Sequence, residues 1–278
     1  MRYLSFSEGN RHSYGYVVND GVVDLGKRTG LADLKTHIAA RADVFGQEPE
    51  AGPDCALSDI RFLPTIPNPS KILCVAINYR EDGDELGSRP EYPLLFTRFA
   101  SSQTGHNELL PKPSHSEMFD YEGELAVIIG RPGHRIAEAD ALGHVAGYAC
   151  FNDGSVRDWQ KHSSQFTPGK NFARTAGFGP WMVSANECVD PHSLNLETRV
   201  NGEVRQRTST SRMIFSISWL ISYISQFAPL VPGDVIVTGT PKGFGSSLNP
   251  PVFLKVGDLI EVEITGLGIL SNVVGNDE

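Results

Sequence analysis

Phe119-Asp120-Tyr121-Glu122-Gly123-Glu124-Leu125-Ala126-Val127-Ile128-Ile129-Gly130 sets three carboxylates at alternate positions and then runs into an apolar strand. On a β-strand, side chains two apart share a face, so Asp120, Glu122 and Glu124 are expected to project together. Like charges that close repel unless a cation neutralises them, and hard oxygen ligands suit Mg²⁺, Mn²⁺ or Ca²⁺. The bland alternative is the solvated face of an edge strand.

The chain has 278 residues, enough for one large domain or a main domain with a small appendage. With 40% hydrophobic and 21% charged residues it has an ordinary globular composition. A formal charge of −9 argues against nucleic acid or an anionic membrane surface as partner. Small anionic substrates stay possible, because a metal ion inverts the local field. Cys55, Cys74, Cys150 and Cys188 form no C-x-x-C pair and read as small buried residues in a reducing compartment. Met1 to Phe6 lacks a signal-peptide core, and no apolar run reaches the length of a membrane span. The expectation is a soluble, cytoplasmic protein.

Residues 1–65 read as a small N-terminal α/β domain. Short β-type runs at Tyr3–Phe6, Tyr14–Val18 and Gly21–Leu25 are punctuated by Gly9-Asn10 and Asn19-Asp20-Gly21, and a helix is predicted near Leu31–Ala40. Leu63-Pro64-Thr65-Ile66-Pro67-Asn68-Pro69 reads as a linker. Residues 66–278 are β-rich, with buried strands predicted at Lys71–Ala76, Glu124–Ile129 and Gly147–Asn152. Short helices are predicted at Ala137–Val145 and Val156–Gln165, and the clearest helix at Thr210–Ser225, where Met213, Ile214, Ile217, Leu220, Ile221 and Ile224 keep helical spacing. Two Gly-Asp turns, at Gly233-Asp234 and Gly257-Asp258, each feed an apolar strand and suggest a rolled, mixed β structure.

Beyond the carboxylates, Asn152-Asp153-Gly154-Ser155-Val156-Arg157-Asp158-Trp159-Gln160 places Asp153 at a strand end before a helix. Capping that helix is its ordinary alternative role. Arg157 and Gln160 fall on one face of the following turn. Thr167-Pro168-Gly169-Lys170 presents a lysine, and Thr238-Gly239-Thr240-Pro241 offers hydroxyl and backbone N–H groups suited to a carboxylate.

Together these pieces resemble the fumarylacetoacetate hydrolase family over roughly Lys71 to Val274. The resemblance is carried by Asn78-Tyr79, Asp120 to Leu125, Asn152-Asp153-x-Ser155-x-Arg157-Asp158-x-Gln160, Lys170, Val200-Asn201-Gly202-Glu203, Met213-Ile214-Phe215, Pro232-Gly233-Asp234 and Thr238-Gly239-Thr240-Pro241. It implies an α+β fold built on a mixed β-roll, and a homodimer. It also implies Mg²⁺ or Mn²⁺ held by Glu122, Glu124 and Asp153. Lys170 would steady a substrate enolate oxygen, Thr240 would hold a substrate carboxylate, and Tyr79, Arg157 and Gln160 would line the pocket. Asp120 is a weaker candidate ligand.

One departure bears on the reaction. The family lid motif N-Y-x-x-H-x-x-E reads here Asn78-Tyr79-Arg80-Glu81-Asp82-Gly83-Asp84-Glu85, with aspartate in the histidine position. A solvated aspartate is a poor base at neutral pH. Burial beside Glu85 would raise its pKa, which makes Asp82 and Glu85 the candidate base pair. His106, His115 and His162 are the alternatives. An oxygen-ligated metal, a lysine and a carboxylate grip suit a 2-oxo acid substrate that becomes an enolate. The leading expectation is hydrolysis of a C–C bond in an acylpyruvate such as maleylpyruvate or fumarylpyruvate, in aromatic catabolism, with Arg98 and Arg174 as candidates for a distal carboxylate. A decarboxylase or dehydratase on the same core, or a weakly catalytic 2-oxo acid binder, are the alternatives.

Overall fold

The Gly123–Ile129 strand is apolar without alternation because both of its faces are covered. Leu125, Val127 and Ile129 enter one hydrophobic core, with Tyr148, Leu196, Ile221 and Val262. Ala126 and Ile128 enter another, with Phe151, Phe178, Tyr3 and Ile38. This is the two-period of the strand expressed as two cores, and it makes Gly123–Ile129 the centre of the molecule. The computed structural model describes residues 1–49, 51–81, 90–188 and 190–277.

Gly123–Ile129 lies between Val145–Asn152 and Val235–Val237, antiparallel to both. The large sheet continues on one side through Ile72–Ala76, parallel to Val235–Val237, to Leu94–Arg98. On the other it runs through Ala176–Ser184 to Arg2–Glu8, Arg11–Val18 and Gly21–Asp24. The N-terminal strands therefore extend the main sheet, with Tyr3 opposite Met182. A second sheet is ordered Glu203–Ser209, Asn195–Val200, Leu259–Ile264, Gly268–Asn276 and Leu109–Lys112. Mostly sheet with few helices, the architecture is α+β.

The Gly-Asp turns have one construction. Asp234 Oδ2 accepts the Val231 N–H, and Asp258 Oδ2 accepts the Lys255 N–H, each at 2.8 Å. Gly233 and Gly257 take φ of 81° and 95°, which only glycine adopts without strain.

The predicted helices are shorter than their apolar spacing. Leu34–Ala40 starts at Asp33, whose carboxylate accepts the Thr36 N–H. Glu138–His144 is a 3₁₀ turn, and Arg157–Gln160 a single α turn. The 210–225 prediction needs the largest correction: the α-helix is Ile217–Phe227, capped by Ser216, after a 3₁₀ turn at Thr210–Arg212. Asn78 claims the backbone between them. Its carbonyl accepts from Ile214 N–H, its Oδ1 from Phe215 N–H at 2.8 Å, and its Nδ2 donates to the Phe215 and Thr238 carbonyls. Groups tied to another segment cannot close helical bonds.

Among the described residues no helix is long and apolar enough to cross a membrane. His106 is not in a catalytic position: its Nδ1 accepts the Ser271 N–H at 3.0 Å, and its ring meets Phe62 edge-on. Burial pushes its pKa down from 6.5 to about 4. Between those values the unfolded chain binds a proton that the folded chain refuses. His106 thus favours folding above pH 6.5, and that contribution is lost as pH falls toward 4. His106→Asn keeps an acceptor for Ser271 and is expected to flatten the decline in stability between about pH 6.5 and 4, read from urea melts across that range. An unchanged slope would refute the assignment.

Candidate active site

The antiparallel register of Gly123 opposite Asn152 brings the two carboxylate segments together. The Asn152 side chain accepts the Glu122 N–H, and the Asp153 N–H donates to the Glu122 carbonyl at 2.8 Å. One carboxylate oxygen from each of Glu122, Glu124 and Asp153 lies within 4.8 Å of the others, and all three residues are buried. Asp153 does not cap the next helix, whose N-cap is Val156.

Lys170 completes the cluster. Its residue is 1% exposed, and Nζ lies 2.6 Å from both Glu122 Oε2 and Asp153 Oδ2. The Thr167–Lys170 turn packs on Arg157–Gln160 because position 169 has no side chain; a Cβ there would stand 2.4 Å from the Gln160 nitrogen. Burial opposes the charge of Lys170, but Asp153 and Glu122 outweigh it and raise its pKa, so it stays an ammonium. Burial likewise works against Asp153, yet Lys170 and Arg98 hold it below the usual carboxylate range.

Arg98 is neither a surface arginine nor placed for a distal substrate carboxylate. Wholly buried, it pairs with Asp153 Oδ1 and donates to the Gly154 carbonyl, Thr175 Oγ1 and Ser102 Oγ. Arg174 is exposed, with its guanidinium 3.7 Å from Glu108. Asp120 does not join the triad. Phe119–Asp120 pairs with Ser155–Val156, so the strand is interrupted before Gly123 and the expected common face ends at Glu122. The Asp120 carboxylate accepts from Gly245 and Ser246 N–H and pairs with Arg157 Nε at 2.7 Å.

Arg157 also reaches Glu122 Oε1 at 2.6 Å and Gln160 Oε1 at 3.1 Å, and its Nη2 is buried without a partner among the described residues. Four buried carboxylates (Asp120, Glu122, Glu124, Asp153) thus meet three buried cations (Arg98, Arg157, Lys170). The uncompensated charge falls on Glu124, which accepts the Gly239 N–H and has no ion pair among the described residues. Burial, then Asp153 and Glu122, push its pKa well above the ordinary value. Such a donor set fits a hard divalent cation: three convergent carboxylates with one negative charge left unmet.

Glu122, Glu124 and Lys170 face a cavity of about 350 Å³, lined also by Tyr79, Glu81, Arg157, Gln160, Thr240, Lys242 and the aromatic walls Phe96, Phe166 and Phe244, with Asp153 buried behind them. Thr240 lines it, but its hydroxyl already donates to the Gly123 carbonyl at 2.9 Å. Asp82 and Glu85 lie outside the described residues. No histidine lines the cavity among the described residues; His115 and His162 pack against Trp159. Sequence reasoning missed the role of Arg98, the aromatic walls, and Gln206, whose amide meets Gly123 and Thr240. Gln206 is the one buried residue of its strand, whose sequence shows no alternation to mark it.

Residues 71–275 match the family profile for fumarylacetoacetate (FAA) hydrolase C-terminal. The chain is 45% identical over 227 residues, 79% of its own length and 75% of the relative's, to the Bacillus subtilis (strain 168) protein named oxaloacetate tautomerase YisK. Fumarylacetoacetate hydrolase (EaFAH) from psychrophilic Exiguobacterium antarcticum has a solved structure matching over 100% of both chains, with TM-score 0.87 and 35% identity. Maleylpyruvate hydrolase from Sphingobium sp. SYK-6, solved with manganese (II) and pyruvate, matches over 100% of both chains with TM-score 0.81 and 26% identity.

Glu124→Gln keeps an acceptor for Gly239 while removing the group whose ionisation burial, Asp153 and Glu122 oppose. It is expected to raise the melting temperature of the metal-free protein and to weaken Mn²⁺ binding at least tenfold. Differential scanning fluorimetry and calorimetric titration read the two effects, and a lower melting temperature with native Mn²⁺ affinity would refute the charge assignment.

Proposed function

This chain belongs to the fumarylacetoacetate hydrolase family, and on that premise we propose that it is a divalent-metal-dependent enzyme interconverting the enol and keto forms of a short 2-oxo dicarboxylic acid of the oxaloacetate type. The observation that carries the reading is the absence of any histidine from the described lining of the cavity, beside an intact carboxylate triad and a charged lysine. Hydrolysis must activate a water for attack on carbon, and a positioned imidazole is the commonest group for that at neutral pH. Tautomerisation needs no water. The enol O–H bond breaks, a C–H bond forms at the adjacent carbon, and the π electrons shift from C=C to C=O.

A cation held by Glu122, Glu124 and Asp153 would supply electrophilic stabilisation of the oxygen that bears negative charge along this path. Lys170 adds a fixed positive charge at the same place; its raised pKa suits it to stabilise charge rather than to accept a proton. Arg157, with Gln160 beside it, lines the cavity and would meet a substrate carboxylate. Tyr79 and Thr240 would complete the wall around the substrate. Proton transfer is assigned to Glu85 and Asp82, the carboxylate pair of the lid motif. The named activity of the 45% identical relative supports this reading.

Acylpyruvate hydrolysis is the second reading, favoured by the likeness to the manganese- and pyruvate-bound maleylpyruvate hydrolase. Homodimeric assembly belongs to the same proposal. One assay separates the reactions: follow enol oxaloacetate by its ultraviolet absorbance, and pyruvate by a coupled enzyme, with Mg²⁺ or Mn²⁺ and with chelator. Metal-dependent loss of enol without pyruvate supports the tautomerase. Pyruvate from maleylpyruvate or fumarylpyruvate, with no acceleration of the oxaloacetate enol, would replace it with the hydrolase. Lys170→Met is expected to lower kcat by about 10²–10³-fold, the loss typical when one stabiliser of a developing oxyanion is removed.

A further inference from the structure

Gln206 lies outside every motif that marks the site, on the Glu203–Ser209 strand of the second sheet. Its side chain nevertheless reaches the backbone between the two glutamates and is only 1% exposed. Oε1 accepts the Gly123 N–H at 2.9 Å, and Nε2 donates to Thr240 Oγ1 and to the Pro241 carbonyl, each at 2.7 Å. The Thr240 hydroxyl then donates to the Gly123 carbonyl at 2.9 Å, which closes a ring through both polar groups of residue 123. With one acceptor and two donors engaged, the amide has a single orientation that satisfies all its neighbours.

The position of this ring gives it a consequence. Glu122 and Glu124 flank a glycine, the residue with the least local preference for any backbone direction. Glycine is required there, because a Cβ on residue 123 would stand 2.0 Å from Thr198 Oγ1 on the second sheet. Residue 123 thus brings no side chain to fix the aim of the two carboxylates, and beyond its register with Asn152 its backbone must be held by other groups. Thr198 pairs in register with Gln206, so the same part of the second sheet both demands the glycine and supplies the amide that restrains it.

We infer that Gln206 is a positioning residue, which sets the relative aim of Glu122 and Glu124 and ties both to Thr240, which lines the cavity. The inference rests on the reading of the triad as a cation site. Groups that orient metal ligands through outer hydrogen bonds typically contribute 10–100-fold to affinity, so a loss of about that size is expected. A purely structural amide would lower stability and leave the affinity of the folded protein unchanged.

The test is calorimetric titration of Mn²⁺ into the full chain. Native protein is compared with Gln206→Met, which keeps the volume and removes the ring, and with Leu196→Ala, a core truncation on the neighbouring strand. Gln206→Met is expected to bind Mn²⁺ about 10–100-fold more weakly, while Leu196→Ala, though less stable, binds like the native chain. If Gln206→Met does not fold, Gln206→Asn, too short to span the ring, is expected to show the same weakening. Native-like affinity, within about twofold, in a folded Gln206 variant would overturn the inference while leaving the cation site standing. Equal weakening in Leu196→Ala would overturn it too, by showing that lost stability suffices. A native chain that binds no Mn²⁺ overturns both readings.

Discussion

The site is organised by a burial that electrostatics opposes: among the described residues, four carboxylates are held out of water with three buried cations to meet them. Lys170 binds two of these carboxylates at once, Arg98 holds Asp153 from the other side, and Arg157 bridges Asp120 and Glu122. Each cation is itself buried, so removing any one would strand a charge, a change that typically costs about 3–5 kcal/mol. The apolar strand Leu125–Ile129, covered on both faces, supplies the rigid frame that keeps the cluster together. Glu124 is left as the point where an added positive charge stabilises most.

This arrangement also bears on chemistry. A cavity with aromatic walls, a polar floor at Glu122, Glu124 and Lys170 and a second charged pair at Glu81 and Lys242 suits a small molecule with polar groups. Lys170 is kept charged by its carboxylate partners and so serves best as a stationary charge. Those features are common to several reactions passing through an enolate. What distinguishes them is the proton carrier, and here no imidazole lines the described cavity.

Much of this was legible in the sequence because it depended on local pattern. The uninterrupted apolar run after Glu124 marked a strand buried on both faces, and the Gly-Asp pairs marked turns whose carboxylates cap their own loops. Glu122, Glu124 and Asp153 are named together through the family resemblance, and their carboxylate oxygens lie within 4.8 Å of one another. The errors have a common cause in long-range contacts. The helix at 210–225 starts late because Asn78, more than 130 positions away, takes the Phe215 N–H. Asp120 leaves the carboxylate face because its strand pairs with Ser155–Val156. Arg98 suggests a grip for a distal substrate carboxylate because nothing near it in sequence announces the buried aspartate 55 positions on. Gln206 left almost no trace, since only the packing of one sheet on the other gives its amide a task.

The most direct measurement is a crystal structure of the protein grown with Mn²⁺, with anomalous scattering recorded at the manganese edge. A single strong anomalous peak is expected, bonded by carboxylate oxygens of Glu122, Glu124 and Asp153. A saturated crystal with no peak at the triad, and Lys170 still bonded to both Glu122 and Asp153, would contradict it. The four buried carboxylates would then be a structural ion-pair network rather than the centre of an active site.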